Sequence, residues 1–212
     1  MISLILAETH RSLFYLKNIL KKKIEINRII YFSKKKKKTY KFLKSKNLLS
    51  KTLLLNTENI NSKLISKNMD FLKKKIVYSG YSAQIIKNIK ILKKKIIHFH
   101  PGDLPKFKGS TTIYYSLILK KKITVTGFIM NKNIDDGRIL FKKKFNVPKN
   151  ILSINDNFDN KIRALTLVSF LMSKKQKFFK KIKTKKTNIY YVAHPILRAI
   201  VHHKKEIKKI YN

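Results

Sequence analysis

The sequence predicts an α/β protein: a mostly parallel central sheet with helices on both faces, ending in an antiparallel hairpin. Three observations lead there. Runs of Ile, Leu and Val bounded by turn residues alternate with segments of helical spacing, the pattern of strand–helix–strand units. The opening run, "ISLILA", is apolar at five of its six positions, as a buried strand would be. Hydrophobic residues make up 43% of 212 residues, enough to bury a core at this length. That length suits one domain, 1–212, with a motif-rich middle at 75–147 and a helix and tail over 148–212.

The elements follow in order. "ISLILA" is the first strand. Thr9 can cap a helix whose apolar positions are Leu13, Leu16, Ile19 and Leu20. "INRIIYF" (26–32) is the second strand, followed by a lysine loop and a helix over 39–49. "KTLLLN" (51–56) is a third strand. "KIVYSGY" (75–81) is a stronger one, ending at Gly80. A helix is expected over 82–92 and a strand over 95–100. Ser110 stands near the N-cap of a helix over 110–121. "ITVTGFIM" (123–130) alternates as a strand, "NKNIDDG" supplies turn chemistry, and "RILFKKKFNV" (138–147) returns antiparallel. Pro148 breaks the chain. A long helix over 159–182, capped by Asp159, comes next. The last segment holds a short strand and a helix or tail around His194-Pro195.

The formal net charge is +41, from 51 Lys and Arg against 10 Asp and Glu. Nearly all the cations are lysines in short runs, at 21–23, 34–38, 73–75, 93–95, 120–122 and 142–144. They fall between apolar segments, where loops and solvated ends lie. Ile and Asn are also abundant, so an A+T-rich coding sequence accounts for the bias better than a dedicated nucleic-acid surface, which mixes Arg with aromatics. Weak binding to polyanions follows either way. With no cysteine, disulfides and cysteine-ligated metals are excluded. No apolar run nears the roughly 20 residues that cross a bilayer, and the N-terminus lacks the basic leader of a signal peptide. A cytoplasmic, soluble protein is expected.

Two of the six histidines stand in "KIIHFHPG". Strand alternation puts His98 and His100 on one face and Phe99 on the other. His100 is the last residue before Pro101, at the carboxyl edge where α/β sheets bind ligands. Acids are few, so Asp135 and Asp136 are informative. Asp136-Gly137 is an ordinary turn pair; Asp135 is left over. A histidine with a carboxylate from another loop suits general acid–base work. The competing reading is a metal held by His98, His100 and a carboxylate. No Gly-rich nucleotide loop and no G-x-S-x-G elbow is present.

"HFHPGDLPKFKG…NIDDGRIL" resembles the core of the folate-dependent formyltransferases, which include methionyl-tRNA, glycinamide ribonucleotide and sugar N-formyltransferases. Their pattern is Asn-x-His, a proline, Leu-Pro-x-x-x-Gly, and later Asp-x-Gly-x-Ile/Val-Leu. His100, Pro101, Leu104-Pro105 and Gly109 match the first part; Asp135, Gly137, Ile139 and Leu140 match the second. The resemblance implies a Rossmann-like formyltransferase fold and transfer of a formyl group from 10-formyltetrahydrofolate to an amine acceptor. It implies that His100 stabilises the developing oxyanion and that Asp135 holds that histidine charged and helps relay the proton. It places the pterin against the 80–85 loop (Gly80, Tyr81, Ser82, Gln84, Ile85) and the 133–136 loop (Asn133, Ile134, Asp136), with no metal. His98 departs from the pattern, standing where the family has Asn, and is expected to substitute for it as a hydrogen-bond donor. The tRNA enzymes carry a further C-terminal β-barrel and a Pro and Trp after the glycine; here "STTIYYSLIL" follows Gly109 and no barrel is expected. A small amine such as an amino sugar nucleotide therefore fits better than initiator tRNA. The alternatives are a methionyl-tRNA formyltransferase-like activity or a non-catalytic RNA-binding derivative.

Overall fold

The computed structural model describes residues 1–73, 75–120, 122–147, 154–173 and 188–210. The chain opens with β1 (Ile2–Ala7), buried at all six positions. Thr9 then caps α1 (His10–Lys21), its Oγ1 accepting from the Ser12 N–H at 3.1 Å. β2 (Ile26–Phe32), α2 (Lys38–Ser45) and β3 (Thr52–Leu55) carry the chain to one edge. A short α3 (Lys63–Lys67) leads back to β4 (Lys75–Ser79), α4 (Ile89–Lys93) and β5 (Ile96–His100). Next come β6 (Lys108–Gly109), α5 (Thr112–Lys120), β7 (Ile123–Ile129) and β8 (Ile139–Phe145). α6 (Asp159–Met172), β9 (Ile189–Tyr190) and α7 (Pro195–Ile210) complete the order.

The seven-stranded sheet runs β3-β2-β1-β4-β5-β7-β8. β3, β2, β1, β4 and β5 pair in parallel; β7 and β8 add antiparallel strands. β6 and β9 form a separate parallel pair. The strand order reverses between β1 and β4, and the carboxyl ends there are where such sheets bind ligands. One sheet face packs its core, including Leu4, Leu6, Val77 and Phe99, with Tyr15 and Leu16 of α1 and Leu167 and Phe170 of α6. The other face buries Ile5, Ile30, Phe32 and Tyr78 with Ile65 of α3 and Ile91 of α4. Both faces are thus covered, which is why the parallel strands are rich in Ile, Leu and Val on both sides.

Four sequence expectations are corrected. The helix expected over 82–92 is confined to Ile89–Lys93. Ahead of it Ala83 takes a left-handed φ of 59°, and Asn61 Oδ1 accepts from the Lys87 and Asn88 N–H groups at 2.6 and 3.1 Å. A side chain outside the segment therefore takes backbone groups a helix would use. α5 starts at Thr112, after Thr111 at φ 47°, and the Ser110 N–H donates to the Tyr190 carbonyl. Asp159 does not cap α6: a π-helical turn, Ile154–Phe158, runs straight into the helix, and Asp159 accepts from Arg163 instead. α6 ends at Met172, and positions 174–182 of the expected helix lie outside the described residues, as does Pro148. Lys142–Lys144 lie in the edge strand β8, inside the antiparallel strand expected over 138–147, and lysines blunt edge-to-edge pairing there; Lys142 pairs with Asp103 and Lys143 donates to Ser169 Oγ.

Glu8 fixes the loop after β2. Its carboxylate accepts from Tyr31 Oη at 2.6 Å and from the N–H groups of Lys37, Thr39 and Tyr40 at 3.0, 2.7 and 3.2 Å. Burial pushes its pKa up, but these donors outweigh burial and hold it below 4.5. The folded pKa is depressed, so the stabilisation is present above about pH 4.5 and is lost as pH falls through the folded value. Glu8→Gln should cost about 1–2 kcal/mol at pH 7. Thermal melts should then show the wild-type advantage shrinking as pH drops below 4.5.

Candidate active site

β5 sets out the chemistry by alternation. Phe99 packs edge-on against Tyr15 and Phe170, at 6.4 and 5.9 Å. His98 and His100 face the other way. β7 leaves the sheet beside Ile96, where the Met130 N–H donates to the Ile96 carbonyl, and the 131–137 loop doubles back to reach His100. The 101–107 loop is pinned from several sides. Thr126 Oγ1 donates to the Gly102 carbonyl and accepts from the Leu104 N–H, Thr112 Oγ1 donates to the Pro101 carbonyl, and Lys142 Nζ pairs with Asp103. A Cβ on Gly102 would come within 2.6 Å of both His100 Nε2 and the Phe107 carbonyl, so this position requires glycine.

His100 is 4% exposed. Its Nε2 lies 2.8 Å from the Phe107 carbonyl and 3.2 Å from Thr112 Oγ1. A carbonyl only accepts, so Nε2 carries the hydrogen. Nδ1 lies 3.3 Å from Asp135 Oδ2, a contact that is favourable when a proton sits between them. Burial lowers the His100 pKa below 6.5; Asp135 pulls it back up. Asp135 takes a left-handed φ of 46°, and its Oδ2 also accepts from the Gly109 N–H at 2.9 Å. The next turn explains the glycine beside it: a Cβ on Gly137 would fall 1.5 Å from the Ile129 carbonyl oxygen.

His98 sits between Tyr78 and Phe128, ring centroids 5.8 and 5.9 Å away. Its Nδ1 donates to the Tyr78 carbonyl at 3.3 Å. Burial, then Arg11 and Arg163, hold its pKa well below 6.5, so the ring is neutral. The two histidines therefore differ in protonation logic, and the expected donor role of His98 meets a ring whose one N–H is already directed at a carbonyl. Among the described residues no three His, Asp or Glu side chains are grouped as a metal ligand set; His98 points at the Tyr78 carbonyl rather than converging with His100 and Asp135.

Both histidines and Asp135 line a cleft of about 590 Å³, within the usual range for small-molecule sites. Of the residues expected against a pterin, Tyr81, Ser82, Gln84, Ile85, Asn133 and Ile134 line it. Gly80 and Asp136 do not: the Gly80 carbonyl accepts from Arg11, and Asp136 pairs with the buried Lys108. A far wall comes from Ile189–Val192, held by β9 on β6 and by the Ala193 N–H donating to Thr111 Oγ1.

Three charged cleft residues were not foreseen: Arg11, Asp159 and Arg163. Arg163 Nε reaches both Asp159 oxygens at 2.9 and 3.1 Å, and its Nη1 donates to the Phe99 carbonyl. Arg11 donates to Ser79 Oγ and to the Gly80 carbonyl. Burial and the neighbouring Arg163 lower the Arg11 pKa, while Asp159 overrides burial to raise that of Arg163. A signal was available. The chain has only five arginines in a background of lysine, and two of them stand in this cleft.

No curated protein matches the sequence. Among solved structures, the chain is similar to a sugar N-formyltransferase from a Shewanella species: TM-score 0.61, 19% identity, 91% of this chain and 77% of that one. It is similar to methionyl-tRNA formyltransferase from Clostridium thermocellum: TM-score 0.58, 16% identity, 92% of this chain and 74% of that one. The phosphoribosylglycinamide formyltransferase of Bacillus halodurans gives TM-score 0.58 at 16% identity, over 84% of this chain and 100% of that one. At these identities the likeness is one of fold. The family model described as "Formyl transferase" matches residues 4–165, well over half the chain and spanning β1 to the first half of α6. With that match, and with this fold behind it, the chain belongs to the formyl transferase family.

Proposed function

We propose that the protein transfers the formyl group of 10-formyltetrahydrofolate to a small amine, an amino sugar nucleotide being the leading class. The observation that carries this reading is the His100–Asp135 contact at 3.3 Å, in a cleft bounded by the 81–86 and 131–135 loops. The reaction needs a positioned amine, positive charge near the formyl oxygen and a route for one proton. The amine nitrogen bonds to the formyl carbon, the C=O pair becomes an oxyanion, and the tetrahedral adduct breaks its bond to N10. The amine loses one proton and N10 gains one, so no outside reactant is needed. His100 takes positive charge through Nδ1 when the proton lies on its side of the Asp135 pair, and Arg11 and Arg163 add fixed charge in the same cleft. The two loops line the cleft and would offer backbone groups to a pterin, whose edge is a row of donors and acceptors.

The second reading, an RNA-binding derivative, is favoured by the +41 charge. One pair of titrations separates the two. Tetrahydrofolate should raise the melting temperature saturably, as a ligand of the folded state does. RNA should bind weakly, with an affinity that falls steeply as salt rises. Tight RNA binding with no response to folate would favour the derivative and contradict formyl transfer.

A further inference from the structure

His98 replaces the family's asparagine, and the replacement reverses the hydrogen-bonding character of the position. An asparagine amide offers both a donor and an acceptor. The imidazole offers its two nitrogens, and one is spent: Nδ1–H points to the Tyr78 carbonyl at 3.3 Å. In the neutral ring the second nitrogen then carries a lone pair and no hydrogen. Nε2 makes no hydrogen bond to the protein, yet it is not among the buried unpartnered atoms, and His98 lines the cleft. It therefore meets whatever occupies the cleft as an acceptor.

We propose that His98 is a proton acceptor for the attacking amine: Nε2 takes the proton shed as the amine nitrogen bonds to the formyl carbon, and passes it to N10 of the departing tetrahydrofolate. The inference rests on the formyl-transfer reading above. The balance closes within the site, since the proton lost by the amine is the one gained by N10.

The groups packed around the ring support this. Tyr78 faces it from β4, Phe128 from β7, His100 from β5, Arg11 from α1 and Arg163 from α6. Tyr78 cannot take the proton's place in the relay, because burial pushes its hydroxyl up to about 12. Arg11, Arg163 and a charged His100 all disfavour the imidazolium, so the lone pair is free at working pH. The same cations line the cleft in which negative charge would grow on the formyl oxygen. As that charge develops it offsets their field at His98, and Nε2 becomes more basic when the proton must move. The oxyanion is then served by the cations, and a neutral histidine is free to act as the base.

Imidazole ¹⁵N NMR of the unmodified protein reads the tautomer without any need for activity. The expected result is hydrogen on Nδ1, a bare Nε2 and no titration of His98 above pH 6.5. His98→Asn, which restores the donor and removes the base, should lower kcat on the order of 100-fold and leave KM for the folate unchanged. His98→Gln should do the same, which guards against a folding defect in one variant. An Nε2–H tautomer, or a His98→Asn enzyme as fast as the parent, overturns the proposal. Failure of the wider reading looks different: the wild type itself would release no tetrahydrofolate with any amine.

Discussion

Asp135→Asn should lower kcat/KM for formyl transfer by about 10²–10⁴-fold while the protein stays folded. The separation of effects follows from the geometry. Asn can still accept from the Gly109 N–H that Asp135 Oδ2 now meets at 2.9 Å, so the left-handed turn at φ 46° keeps its anchor. Both contacts fall on Oδ2, so the atom 3.3 Å from His100 Nδ1 becomes a neutral amide oxygen in place of a carboxylate oxygen. That removes the group that raises the His100 pKa and leaves a neutral ring with Nε2–H on the Phe107 carbonyl. The site keeps its shape and loses its capacity to hold a proton between the two side chains. Initial rates with a fixed amine, alongside a thermal melt, check this. A variant with wild-type turnover would remove Asp135 from the mechanism, and one that unfolds would make its role structural.

Phe99→Ala should be the most damaging single substitution to stability near the site, at about 3–5 kcal/mol and a melting-temperature drop of roughly 10 °C. The ring is fully buried, meets Tyr15 and Phe170 edge-on, and overlies Gly127 of β7, where a Cβ would approach it to 2.7 Å. Helices α1 and α6 close over it, so little can collapse into the space left behind. Because Phe99 lies between the two histidines on β5 and its carbonyl accepts from Arg163, activity should fall along with stability. Phe99→Leu, which keeps most of the volume, should recover most of both. A melt unchanged by Phe99→Ala would mean that β5 is not anchored through this face.

How much of this was legible depended on whether a segment's own residues decided its fate. β1, β2, β4, β5 and β7 could be read because each carries an apolar run bounded by turn residues, and β8 because it follows the Asn-Asp-Gly turn. His100 and Asp135 could be read because acids and histidines are scarce in this chain. The 82–88 segment could not, because its backbone is held by Asn61, more than twenty positions earlier in sequence. α3 has only five residues and left no periodic pattern. Asp159 looked like a cap in sequence, since Asp at a helix start usually is one; its partner Arg163, one turn on, decides otherwise. Arg11 joins the site through the β1–β4 adjacency, which no local pattern encodes. His98 was visible as a departure, but the direction of its N–H depends on a carbonyl of the neighbouring strand.

The central claim is that a folate-borne formyl group leaves this cleft on an amine. The direct measurement is to incubate the wild-type protein with 10-formyltetrahydrofolate and a panel of amines, amino sugar nucleotides and tRNA included, following tetrahydrofolate release and the mass of the acceptor. The account predicts release that requires both protein and amine, with a small amine gaining one formyl group. Release of tetrahydrofolate and free formate without any amine, or no release with any of them, would contradict it.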